Sequence, residues 1–221
     1  MKPLRCLSSV RFGSFLAYSP RGKSADSVKS RTMIRDIKNV RSGYMKRVAD
    51  RLREEMRPGK RAEVLREVLG NDVLVVPCPR SSPLVKGALW PSKEICDELV
   101  GHGLAMKCAV LLERVTAVPK SSTSAIGERP KPLDHIRSMT VVKQQELELR
   151  KITRITIVDD VITRGATLLA AASILQHHFP EAVIRIFAVV RTKSYDPEVG
   201  SILDPVLGEV SLNGVDADRK P

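Results

Sequence analysis

No apolar run in this sequence approaches the roughly 20 residues that a bilayer crossing needs. Apolar stretches such as residues 73–76 and 168–175 stop well short, which argues against a membrane-spanning helix and against a membrane partner. The four cysteines, Cys6, Cys78, Cys96 and Cys108, show no Cys-x-x-Cys spacing; neither a zinc site nor a disulfide framework is indicated, and reduced thiols in the cytoplasm are expected. His102, His135, His177 and His178 have no partner spacing for a metal or a catalytic triad. No Gly-x-x-x-x-Gly-Lys-Ser/Thr loop and no Gly-x-Gly-x-x-Gly fingerprint occurs, so P-loop and Rossmann dinucleotide readings lack their motifs. No internal repeat is visible. The first 25 residues hold no acid, as in an organellar transit peptide, but residues 10–18 (VRFGSFLAY) alternate large and small side chains like a folded strand.

What is present is enough apolar sequence, 43% of 221 residues, to bury one core with an extension. The net charge of +12 is concentrated: residues 1–62 hold 17 Lys and Arg against 5 Asp and Glu, whereas residues 63–221 hold 20 of each sign. A basic segment of this kind attracts phosphate-rich partners, because neutralised phosphates release condensed counterions. Nucleic acid is one expected partner; an acidic protein surface, or simple solubility, fits the same composition.

Hydrophobic spacing outlines the elements. Residues 1–40 read as a strand or hairpin followed by basic connecting sequence. In residues 44–56 (YMKRVADRLREEM), Met45, Val48, Leu52 and Met56 fall on one helical face, and Pro58 and Gly59 end the helix. A short helix near 61–69 precedes the apolar strand VLVVP. A polar turn, CPRSSP, follows, and then a helix starting near Pro91 or Ser92, with Ser92 a fitting N-cap beside Pro91, and closing near Gly101 to Gly103. Residues 106–112 read as a strand and 114–137 as a long polar loop of the sort used as a lid. A strand at 154–158, a helix at 166–178 and a strand at 183–190 complete an alternating series. The fold class is therefore α/β, a parallel twisted sheet with helices on both faces. The chain divides into a basic N-terminal extension or hood (1–62), a core (63–195) and a C-terminal tail or hood (196–221).

The segment richest in chemistry is 155–168, ITIVDDVITRGATL. A buried strand leads into two adjacent carboxylates, Asp159 and Asp160, and in open α/β sheets ligands sit beyond the carboxyl ends of strands. Neighbouring carboxylates repel unless hydroxyl donors or a cation satisfy them, and the 2′ and 3′ hydroxyls of a ribose are such donors. Thr163, Arg164, Gly165, Ala166 and Thr167 then turn into a helix, where backbone N–H groups, Thr hydroxyls and the helix dipole favour an anion. Gly165 suits close backbone approach or positive φ. Acids for a diol beside a cradle for a phosphate match the two ends of a ribose 5-phosphate.

IVDDVITRGATL resembles the 5-phosphoribosyl-1-pyrophosphate motif of type I phosphoribosyltransferases: an apolar strand, two acids, two apolar residues, then Thr-x-Gly-x-Thr. Over residues 70–193 the wider pattern is similar to the ComF-type branch, without its N-terminal zinc module. The resemblance implies a type I phosphoribosyltransferase fold, with transfer of a phosphoribosyl group to a nitrogenous acceptor and magnesium as cofactor. It implies that Asp159 and Asp160 take the ribose hydroxyls, with a magnesium-bound water, and that residues 163–167 take the 5′-phosphate. It places pyrophosphate on Arg80, Ser81 and Ser82, and puts Arg114, Lys120 and Arg129 in a flexible loop that closes over it. Arg164 stands where the family often has a second Thr, which adds a cation beside the phosphate. The alternative is a sensing or effector subunit of a nucleic-acid-containing complex, as in retron-associated antiphage defence, with nucleic acid on residues 1–62. A larger protein complex or a homo-oligomer belongs to the same range of expectations.

Overall fold

The structure, a computed structural model, describes residues 4–40, 43–119, 129–142, 149, 151–193 and 198–221. Among them a seven-stranded sheet runs in the order β3-β2-β6-β7-β1-β8-β9. Its strands are β1 (Ser9–Tyr18), β2 (Gly70–Pro77), β3 (Ala105–Cys108), β6 (Arg154–Ile162), β7 (Val183–Thr192), β8 (Leu203–Asn213) and β9 (Asp216–Lys220). The pairs β3/β2, β2/β6, β6/β7 and β7/β1 are parallel, while β8 and β9 extend the β1 edge antiparallel. The helices are α1 (Ala25–Lys38), α2 (Tyr44–Glu55), α3 (Pro91–Gly101), α4 (Pro132–Ser138) and α5 (Ala166–His178), with a 3₁₀ turn at Glu63–Glu67. A separate two-stranded ribbon pairs β4 (Leu112–Arg114) with β5 (Met139–Val141).

Helices cover both faces, as the alternating pattern predicts. On one face α5 is apolar nearly all round, and residues 168–175 are all buried, as a helix without a polar side must be. On the other, α2 turns Met45, Ala49 and Leu52 inward and leaves its basic side to water; Val48 is half-buried rather than core. The helix at Ala25–Lys38 replaces the basic connecting sequence expected there. Ser24 caps it by accepting from Ser27 N at 3.2 Å, and Met33, Ile34 and Ile37 bury its inner side.

Four further expectations are revised by packing. Strand β1 lies between β7 and β8, with Phe12 and Phe15 buried, so residues 9–18 are part of the main sheet and not an appendage. The sequence allows this because residue 13 is glycine: a Cβ there would meet Val68 and Leu65 at 2.7 and 2.8 Å. The strand expected at 106–112 breaks into β3 and β4, which belong to different sheets. The described part of the polar stretch 114–137 contains α4, opened by Pro132 and by Asp134, whose carboxylate accepts from Lys131 N at 2.9 Å. The C-terminal residues 203–220 form the β8–β9 hairpin, whose polar strands gave little apolar alternation to read. Among the described residues no helix is long and apolar enough to cross a membrane.

Candidate functional site

Asp159 and Asp160 are the sixth and seventh of the nine residues of β6, toward the carboxyl edge of the parallel strands, and both are half-buried. Asp159 Oδ1 accepts from the Ser92 hydroxyl at 2.9 Å and from Asp160 N at 3.0 Å; Asp160 Oδ1 accepts from Val161 N at 2.9 Å. Burial, and next the neighbouring Asp160, push the Asp159 carboxyl well above the usual carboxylate range, with Ser92 opposing them. Ser92 does not cap α3, as its sequence position suggests. Trp90 holds the cap position and Pro91 the first turn, which frees the Ser92 hydroxyl for Asp159.

The turn after β6 is held from the side. Gly165 has φ of +90°, and a Cβ there would lie 2.7 Å from Val210, so both the left-handed backbone and the contact with β8 require glycine. The close approach expected at Gly165 is thus to Val210. Arg164 Nη1 lies 2.5 Å from Asp216 Oδ2, and Arg219 Nε donates to Thr163 O at 2.7 Å. The Arg164 charge is committed to β9 and is not a spare cation for the ligand, because the hairpin brings a carboxylate to it. Thr163 is exposed, Ala166 and Thr167 half-buried, so the mouth of this turn faces outward.

Arg80, Ser81 and Ser82 follow β2 at the same edge. Arg80 and Ser82 line a cavity of about 240 Å³ with Trp90, Leu84, Leu112 and Arg114; Ser81 is not part of its wall, and its carbonyl accepts from Val118 N at 2.8 Å. Arg114 is 5% exposed. Its Nε donates to Arg80 O at 2.8 Å and its Nη1 to Ser138 Oγ at 2.5 Å, but Nη2 is buried without a hydrogen-bond partner. No carboxylate pairs with it among the described residues. A buried guanidinium lacking a counter-charge costs on the order of several kcal/mol, and burial accordingly lowers its pKa. Cys78 N donates to Val158 O at 2.8 Å, which sets the turn after β2 beside the strand that carries the acids; burial, and next Asp159, push the Cys78 thiol up.

Of the other loop candidates, Arg129 is half-buried with an unpaired Nε and is not among the residues lining that cavity; Lys120 lies outside the described residues. Two contributors went unread in the sequence. Trp90, just before α3, donates from Nε1 to Cys78 O at 2.9 Å and forms part of the cavity wall. His135 is buried on α4 between Arg114 and Thr167; lying inside a polar stretch, it carried no spacing signal. Among the described residues no cluster of three or more His, Cys, Asp or Glu could hold a metal ion.

No family model and no curated protein matches the chain. Among solved structures it is similar to adenine phosphoribosyltransferase from Leishmania tarentolae, at TM-score 0.33 and 14% identity over 79% of this chain and 82% of that one. It is likewise similar to adenine phosphoribosyltransferase from Leishmania donovani, at TM-score 0.33 and 13% identity over 88% and 84%. A TM-score of 0.33 does not define a shared fold, and neither likeness bears on the function proposed next.

Proposed function

We propose that this chain is a phosphoribosyltransferase-like protein that binds 5-phosphoribosyl-1-pyrophosphate at the carboxyl edge of the sheet and transfers its phosphoribosyl group to a nitrogenous acceptor. The observation that carries this reading is the meeting, at one edge of the sheet, of the Asp159–Asp160 pair, the 163–167 turn directly after it, and the neighbouring turn after β2, whose Arg80 carbonyl is held by the buried Arg114 guanidinium with its unpaired Nη2. In this assignment the acids take the ribose hydroxyls and the turn takes the 5′-phosphate. Arg80, Ser82 and Arg114 take the pyrophosphate, whose growing charge as the bond to C1′ loosens would compensate the buried guanidinium. Magnesium fits as an ion shared with substrate oxygens and water, since such sites need only one or two carboxylates. Asp160 is the better candidate to hold it, because Asp159 Oδ1 already accepts from both Ser92 and Asp160 N. When bound, the ion would neutralise the leaving group.

The test is thermal stabilisation. Phosphoribosyl pyrophosphate with magnesium should raise the melting temperature, and Asp159→Asn with Asp160→Asn should abolish the rise. Asn is close in shape to Asp and keeps an acceptor for Ser92, so the double variant is expected to fold; an undiminished rise in it would reject the site.

A second reading, a phosphoribosyl-sensing or effector subunit that binds nucleic acid, is favoured by the exposure of Arg35, Lys38, Lys46, Arg47, Arg53 and Lys60 on and beside α1 and α2. Deleting residues 1–62 would remove a central strand and cannot test it. Replacing those cations with Gln should instead weaken nucleic-acid binding and flatten its dependence on salt; salt-independent binding would contradict this reading.

A further inference from the structure

His135 is 2% exposed and sits between two groups from different elements: its Nδ1 lies 3.4 Å from Arg114 Nη1 on β4, and its Nε2 lies 3.2 Å from Thr167 Oγ1 on α5. A guanidinium has no acceptor atom, so the nitrogen facing it must be the unprotonated one. In a neutral ring the proton then resides on Nε2 and is donated to Thr167. The hydroxyl, having accepted, can use its own proton only toward another acceptor, and among the described residues it makes no other hydrogen bond. On its far side Arg114 donates to Arg80 O at 2.8 Å, so one buried chain of hydrogen bonds runs from the turn after β2 to the turn after β6.

We propose that His135 is a positioning residue that orients the Thr167 hydroxyl so that its proton points to the phosphomonoester of the ligand, and links that donor through Arg114 to the Arg80 turn. The ligand half of this proposal rests on the phosphoribosyl reading; the tautomer and the orientation of the hydroxyl do not. With one lone pair engaged by Nε2–H, the hydroxyl is held in a fixed orientation and its proton is available to a phosphate oxygen, which accepts. The charged groups facing the ring are Arg114, which with burial holds its pKa down to about 4, and Asp134, which opposes them; the ring is therefore neutral throughout the range in which a phosphomonoester becomes dianionic.

The experiment combines imidazole nitrogen spectroscopy with binding by the full chain. In ¹⁵N-histidine-labelled protein, His135 should show a protonated Nε2 and an unprotonated Nδ1, and Thr167→Val should move the Nε2 signal. Ribose 5-phosphate affinity should fall on the order of tenfold in Thr167→Val and in His135→Leu. His135→Gln, whose amide nitrogen takes the place of Nε2, should restore most of it. Affinity for unphosphorylated ribose should change little in any of them. A protonated Nδ1, or a His135→Leu variant that binds ribose 5-phosphate as the parent does, overturns the positioning role. Failure of the parent chain to bind ribose 5-phosphate while the Nε2–H tautomer is present overturns the functional reading and the phosphate half of the proposal together, leaving the hydrogen-bond chain intact.

Discussion

The turns that follow β6 and β2 open on the same edge of the sheet and are completed in opposite ways. After β6 the charges are closed: Arg164 is paired with Asp216, the Thr163 carbonyl is taken by Arg219, and Gly165 is seated on Val210. After β2 they are left open: Arg114 is buried with a free Nη2 beside a cavity, and no carboxylate answers it among the described residues. The difference teaches that cations near a site are not equivalent. One is neutralised by a carboxylate of the fold; the other is buried with a nitrogen that no partner satisfies, which carries a desolvation cost. The geometry of the β6 turn is thus held by side chains of the β8–β9 hairpin, whereas beside the β2 turn a guanidinium nitrogen is left without a partner; in the proposed function an anion completes it.

The sharpest way to break this contrast is to remove each arginine in turn. Arg114→Met should lower pyrophosphate affinity by about a hundredfold, given that charged hydrogen bonds contribute roughly 1.5–3 kcal/mol. It should change the stability of the free protein far less than loss of a paired buried ion would, since an uncompensated charge leaves with it. Calorimetric titration and urea denaturation report the two quantities, and equal affinity losses in Arg114→Met and Arg164→Ala would erase the distinction.

The rigidity of the β6 turn is tested at Gly165. Gly165→Ala must place a Cβ in a left-handed backbone and into Val210, and should cost about 2–4 kcal/mol. Gly87→Ala, at φ of +79° with nothing within 4 Å, pays only the backbone strain of about 1 kcal/mol. Adding Val210→Ala should recover part of the first loss if the collision matters. No recovery would assign the whole cost to φ.

A pH titration of stability probes the group between the two turns. Burial, with Arg114 adding to it, holds His135 down to about 4 in the folded chain, against about 6.5 when unfolded. Its contribution is complete above pH ~6.5 and is lost as pH falls toward 4, because only the unfolded chain takes up the proton in that window. The loss should total roughly 3 kcal/mol. His135→Gln should flatten that part of the curve; an identical slope in the variant would place the ring's folded pKa near its ordinary value. The smallest effect is expected from Arg164→Ala. That pair is about one-third exposed on each side, so the loss should be no more than about 1 kcal/mol and shrink with salt.

Much of the central architecture was legible because its signals are local. The buried runs of β2 and β6, the apolar α5, the amphipathic α2 and the strand-to-helix step through Asp159 and Gly165 each declare themselves within a short window. What escaped were features set by distant partners. Ser92 looks like a cap until Asp159 offers its carboxylate, and Arg164 looks like a spare cation until Asp216 arrives from 52 residues away. His135 is unremarkable until α4 packs it between Arg114 and Thr167.

The amino-acid order alone therefore determined where a twin-acid strand end meets a helix-opening turn, because hydrophobic period and turn chemistry act between near neighbours. Only the tertiary structure decided which charges are spent and which remain. Pairing depends on contacts between β6, α4, the ribbon and the C-terminal hairpin, and the strength of each charge depends on how much water those contacts expel.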